Sequence, residues 1–240
     1  MERCPDRRAA VERVAGGVAV FLGIESPLTH AIGFGMAGPV QAWEIERVEN
    51  FYRQRETSVK FDVCPYADPS FAELLGKRGY RPMEFANVLV ADPRTLPLRD
   101  APRVKIEELA GNYAETWSRL VARSFFEVAD VTEDLMEIGL ILFHTPGTRC
   151  FSPSMQGDLV GGGAMAVRDG VALMFADATL MVARNRGAHS ALIRVRLEKA
   201  AEAGCAIATA DTLPGSTSQR NYEREGFRVA YTKLIMEKTW

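Results

Sequence analysis

The chain has 240 residues, 47% of them hydrophobic and 25% charged, enough for one large domain or two small ones of ordinary globular composition. Its 29 Lys and Arg against 31 Asp and Glu leave a net charge of −2, which gives no long-range attraction to nucleic acid or to an anionic membrane. Four widely spaced cysteines without a CxxC pair read as reduced thiols, and there is no apolar run of about 18 residues and no clean leader pattern in MERCPDRRAAVERVAGG, so the expectation is a cytoplasmic protein with no membrane partner.

In chain order, Val40–Gln54 predicts a helix, with Ile45, Val48 and Tyr52 on one face. Ser58–Val63 alternates like a strand, Phe71–Leu75 reads as a short helix and Arg81–Val90 as a strand. The segment Ala91–Arg103 carries Pro93, Pro97 and Pro102 and reads as an extended linker over 93–102, separating 1–92 from 103–240. Beyond it, Glu107–Phe126 predicts a helix with Leu109, Tyr113, Trp117, Leu120 and Ser124 along one side, and Leu135–Phe143 a second apolar helix. Leu159–Val167 and Val171–Leu180 read as strands joined by the hairpin pair Asp169–Gly170. A helix over Ser190–Ala203, a strand over Cys205–Asp211, a short helix near Ser218–Glu225 and a strand over Arg228–Met236 complete an α/β pattern.

The two halves echo each other. At an offset of 147 residues Arg47 falls on Arg194, Val59–Val63 on Ala206–Ala210, and Gly79-Tyr80-Arg81 on Gly226-Phe227-Arg228. Few identities survive, so the pattern of elements carries the expectation of a duplication.

The stretch VARNRGAHSALIRVRLEKAAEAG, Val182–Gly204, starts a helix with Arg184, Asn185, Arg186 and Gly187. Cations at a helix N-terminus oppose its dipole at about 0.3–1 kcal/mol each, and a bound anion would offset that cost. Arg184-Asn185-Arg186-Gly187-Ala188-His189 matches Arg/Gln-x-x-Gly-x-Gly/Ala, and Tyr222 stands four residues before Gly226-Phe227. With these two landmarks the C-terminal half resembles the GNAT superfamily of acyl-CoA N-acyltransferases. The resemblance implies two such units, with mixed, mostly antiparallel sheets flanked by helices. Under the offset Arg184 meets Ala37, Gly187 meets Val40 and Tyr222 meets Leu75, so the first unit lacks a cradle and an acid and is expected to be degenerate.

The resemblance further implies an N-acetyltransferase using acetyl-CoA, with no metal, acting on a primary amine; a small-molecule acceptor is expected, but the sequence leaves a small amine, an amino acid, a drug-like amine and a protein terminus all open. The CoA pyrophosphate would lie on Arg184–His189, the backbone of Thr179 and Leu180 would hold the pantetheine arm and the thioester carbonyl, and Tyr222 would be the general acid. Ser218 and Asn221 would help position the cofactor. His189 departs from the small residue of the pattern; it either contacts phosphate or is an idle first-turn histidine. From its apolar strand LMFADATL, Asp177 is the candidate base with a raised pKa, or else it lies on a solvent face; Asp211 is the reserve. The ring of Tyr222 has the plainer alternative of packing on a sheet. A catalytically silent acyl-CoA-binding sensor or interaction module is the rival reading. Trp43, Trp117 and Trp240 would suit a homodimer as well as a core.

Other motifs are weaker. Gly33-Phe34-Gly35-Met36-Ala37-Gly38 matches GxGxxG, with Asp62 downstream, but Pro39 removes a backbone donor and no series of βα units follows. His30, His144 and His189 have no metal-binding spacing.

Overall fold

The computed structural model describes residues 9–24, 26–95 and 104–240. Most of the linker read at 93–102 lies outside the described residues. The chain packs into two compact units, one from the described residues of Met1–Asn87 together with Tyr231–Trp240, the other Val88–Ala230. The packing therefore divides the chain elsewhere than at the Pro-rich segment, and the chain's last ten residues return to the first unit.

The first unit contains β1 (Ala10–Val14), β2 (Gly17–Phe21), β3 (His30–Ile32), α1 (Ala42–Arg53), β4 (Val59–Val63) and α2 (Pro69–Lys77). Strand β5 (Arg81–Ala91) begins in it, and the end of β12 (Arg228–Lys238) completes it. β1, β2 and β3 pair antiparallel in sequence, β3 pairs parallel with β4, and Leu234–Lys238 of β12 pair antiparallel with Val63–Val59. Ile45, Val48 and Tyr52 of α1 share one core with Phe61, whose ring meets Phe34 and Phe71 edge-on. Each such side chain contributes about 1.5–3 kcal/mol on burial.

In the second unit β6 (Lys105–Leu109), α3 (Ala114–Phe125) and α4 (Glu133–His144) precede β7 (Thr148–Met155), β8 (Asp158–Leu159) and β9 (Gly161–Arg168). Then come β10 (Val171–Thr179), α5 (Ala188–Glu202), β11 (Ile207–Thr212) and α6 (Thr217–Arg224). The sheet order is β11-β10-β9-β7-β6, antiparallel except for β10 with β11, which α5 joins as a crossover. Leu192, Ile193 and Leu197 of α5 share one core with Met165, Met174 and Ala208; Trp117 and Val121 of α3 form another with Cys150, Ala164 and Ala178.

The helix expected over Glu107–Phe126 is corrected at its start. KIEEL alternates and pairs with β7 as β6, a 3-10 turn follows at Gly111–Tyr113, and the helix begins at Ala114. Elsewhere the echo holds element by element: at the 147-residue offset α1 falls on α5, α2 on α6, and β5 on β12 end for end. Each unit also ties its two helices with an ion pair, of opposite polarity in the two; the C-cap partners correspond at the offset, but Glu49 falls on Arg196 and not on Arg194. Glu49 of α1 pairs with Arg78 at the C-cap of α2 at 2.6 Å, and Arg194 of α5 pairs with Glu225 at the C-cap of α6 at 3.2 Å.

Trp117 is fully buried, its indole N–H donating to the Phe151 carbonyl at 3.1 Å, whereas Trp43 and Trp240 are exposed. Gly33–Gly38 form the turn between β3 and α1, and Asp62 is committed to His30 and Lys233, both at 2.8 Å. Among the described residues no group of three or more His, Cys, Asp or Glu could hold a metal, no helix is long and apolar enough to cross a membrane, and Cys64, Cys150 and Cys205 are free thiols.

Candidate functional site

The site is built where β10 outruns its neighbour. Its parallel pairing with β11 stops at Met174↔Ala210, but β10 continues to Thr179, held on the other side by β9. A register shift between Phe175 and Ala178, with Ala176 at φ 58°, marks a bulge that turns Asp177 inward. The Leu180 N–H donates to the Val160 carbonyl at 2.9 Å. Alternation along the strand then aims the N–H and C=O of Thr179 at the opposite, open edge, where its carbonyl accepts from Arg184 Nε at 3.1 Å. Of the two amides expected to serve a thioester, Thr179 faces outward; Leu180 is already paired, which corrects that expectation.

A cleft of about 840 Å³ opens beside this edge. Gly187, at φ 81°, caps α5 with no side-chain hydrogen bond, and the helix's first backbone bond runs from the Ala191 N–H to the Gly187 carbonyl. The first-turn amides thus lack an internal cap and concentrate positive potential on the cleft. Asn185, Ala188 and His189 line it from this side; Ser218, Arg220, Asn221 and Arg224 line it from α6. Arg186 is exposed and lies off the wall, as does Asp211. Arg184 lines the cleft, but its guanidinium is engaged: Nη1 donates to Glu127 Oε1 at 2.7 Å and Nη2 to the Ser124 carbonyl at 3.3 Å.

Asp177, His189 and Tyr222 come together as a network that runs inward from the cleft. Arg196 Nη2 lies 2.5 Å from Asp177 Oδ1, and the guanidinium also donates to the Ala164 carbonyl at 2.9 Å and to the Tyr222 hydroxyl at 3.4 Å. The Tyr222 hydroxyl donates to Asp177 Oδ2, and His189 Nε2 lies 3.3 Å from the same oxygen. Asn221 Oδ1 accepts from Arg224 at 2.7 Å, so its amide nitrogen faces His189 Nδ1 at 3.0 Å. The amide nitrogen donates, so His189 Nδ1 accepts and the ring carries its N–H at Nε2, on the side of Asp177. Asp177 and His189 line the cleft; Tyr222, 1% exposed, does not, and its ring packs on Phe227 at 4.8 Å.

The expectation of a raised Asp177 pKa is corrected in sign. Burial pushes it up, but the charge of Arg196 and the hydrogen bonds from His189 and Tyr222 prevail and hold the carboxyl below its ordinary value. Nor does it sit on a solvent face, since its side chain is only 11% exposed. Burial and the Asp177 charge raise Tyr222 well above its ordinary value, so its proton stays in place. A group with a depressed folded-state pKa stabilises above its unfolded value and loses that contribution as pH falls through the folded one. The stability margin of the native chain over Asp177→Asn should therefore be flat from about pH 7 to about pH 5 and shrink below the ordinary value of 3.8. Chemical denaturation at a series of pH values reads this; a margin that grows on acidification contradicts the assignment.

Sequence reasoning missed Arg196, Glu127 and Gly163. Arg196 is fully buried in the apolar run ALIRVRL. A Cβ on Gly163 would stand 2.6 Å from Asp177 Oδ1 and 3.2 Å from Arg196 Nη1, so this glycine makes room for the ion pair. The glycine run of VGGGAMAV was the available signal.

No protein-family model matches the sequence, and neither does any curated protein. Solved structures do resemble the fold. A GCN5-related N-acetyltransferase from Kribbella flavida aligns over 97% of this chain and 90% of its own at 18% identity, with a TM-score of 0.71. Another from Sphaerobacter thermophilus aligns over 96% and 75% at 16% identity, TM-score 0.65. A tandem GNAT protein from the clavulanic acid biosynthesis pathway aligns over 98% and 84% at 14% identity, TM-score 0.62.

Proposed function

We propose that this chain, which has the fold of the GCN5-related N-acetyltransferases, takes acetyl-CoA in the cleft beside α5 and β10 and transfers the acetyl group to a small-molecule primary amine by direct attack. One observation carries the reading: the uncapped first turn of α5 at Gly187 and the open Thr179 edge of β10 face the same cleft. The first suits a diphosphate, with Arg220 and Arg224 adding charge from α6, and the second suits an amide-rich arm ending in a thioester. In the transfer a C–N bond forms, the C–S bond breaks, the nitrogen loses a proton and the departing thiolate gains one. The Thr179 N–H is the chain's donor for the carbonyl oxygen. Tyr222 holds a proton, and Asp177 and His189 connect that proton to the cleft wall. Asp177, held ionised, fixes both rings in place.

A specific observation favours the second reading, a catalytically silent acyl-CoA-binding module. The Tyr222 ring is buried as fully as Leu75, its counterpart in the first unit, and its hydroxyl is turned to Asp177. Thermal shift decides the ligand class: acetyl-CoA should raise the melting temperature and NAD should not. Stabilisation by NAD and not by acetyl-CoA would overturn the proposal. Release of free CoA thiol in the presence of amines separates enzyme from silent module. Under the enzyme reading Tyr222→Phe should lower turnover by about 10²–10⁴-fold with little change in acetyl-CoA affinity; an unchanged rate removes Tyr222 from the chemistry.

A further inference from the structure

A second cleft of about 360 Å³ adjoins the first and shares Ser124, Glu127 and Arg184 with it. Its character differs, for Val128, Ala129, Leu180, Met181 and Val182 line it. The end of β10 divides the two, with Thr179 on the larger and Leu180 on the smaller. On the shared wall stands the Arg184–Glu127 pair at 2.7 Å. Glu127 has φ 54°, a left-handed conformation costly for a residue with a Cβ, and Asn185 on the wall of the larger cleft adopts it as well. Strain gathered there holds a carboxylate where apolar and polar clefts meet. Both partners of the ion pair are substantially exposed, at 40% and 55%, so water weakens it. A diphosphate offers Arg184 stronger charge-assisted bonds.

We propose, building on the transferase reading above, that the smaller cleft is the acceptor subsite and takes a primary amine with an apolar body, its ammonium on Glu127. Binding of the cofactor's anion draws Arg184 off Glu127 and uncovers the carboxylate. Entry of the amine in turn frees Arg184 for the anion. The two ligands therefore strengthen each other's binding, and by the same factor in each direction. An amine with a polar body gains nothing from Val128, Leu180 and Val182.

Isothermal titration of the full chain with 2-phenylethylamine and with ethanolamine, each with and without CoA, tests this. Saturating CoA should tighten 2-phenylethylamine at least about fivefold, and ethanolamine should bind more weakly throughout. Glu127→Gln should abolish the amine's response to CoA and weaken the amine, while CoA binds at least as tightly as before. Val182→Ser, at a position 77% exposed and thus safe for folding, should weaken 2-phenylethylamine without affecting the affinity for CoA alone. Equal affinities for the two amines, or undiminished binding of 2-phenylethylamine to Glu127→Gln, would overturn the subsite. Failure of the native chain to bind CoA would overturn the transferase reading and the coupling, with amine discrimination at Glu127 still deciding the subsite.

Discussion

Replacing Arg196 with methionine is expected to lower stability by about 3–5 kcal/mol, the cost of leaving one partner of a buried ion pair uncompensated. Arg196 is fully buried and is the nearest cation to Asp177, whose side chain is 11% exposed. Methionine fills a similar space but supplies no charge and no donors. Asp177 then either stays ionised without its partner or takes up a proton, and the Ala164 carbonyl loses the bond it accepts at 2.9 Å. With total stability of a domain of about 5–15 kcal/mol, such a loss is a large share. The double variant Arg196→Met with Asp177→Asn should recover part of it, because the stranded charge is gone. Urea denaturation of the two single variants and the double variant measures the coupling. A cost below about 1 kcal/mol for Arg196→Met would mean that Arg196 does not hold Asp177.

The same pair shows where sequence reasoning stopped. The helix α5 was legible from its apolar spacing, but its buried arginines look, residue by residue, like members of a polar face. Only the bulge at Ala176, a backbone event with no sequence mark, brings Asp177 to Arg196. Glu127 lies 57 residues before Arg184, in the turn just beyond α3, so no local pattern links them. By contrast, Asp169–Gly170 and the repeated spacing of the two halves are local or periodic signals, and the hairpin, α1, β4, α2, β5 and their counterparts were readable from them. β7 escaped because TRCFSPSM contains a proline and no steady alternation. β6 was misread as helix because Lys, Glu and Leu favour helices in isolation, whereas pairing with β7 decides the outcome.

Gly187→Glu is expected to reduce acetyl-CoA affinity by at least about 100-fold, equivalent to about 2.7 kcal/mol, while the chain still folds. Two effects act together. Gly187 has φ 81°, and a side chain there costs about 1–2 kcal/mol. That cost is tolerable at a surface turn, and a shifted first turn would misalign the amides that face the cleft. A glutamate also brings a negative charge to the point where an anion would sit, at the positive end of α5. Gly187→Ala separates the causes, since it carries the backbone strain without the charge and should weaken binding much less. Arg184→Gln provides a further contrast. Its guanidinium already serves Glu127, Ser124 and Thr179, so losing it removes one cation from the cleft wall but leaves the helix amides in place. The expected order of acetyl-CoA affinity is native, then Gly187→Ala and Arg184→Gln, then Gly187→Glu far below. Calorimetric titration gives the order, with circular dichroism melts checking that each variant is folded. If Gly187→Glu binds acetyl-CoA as the native chain does, the uncapped turn of α5 is not where the diphosphate rests.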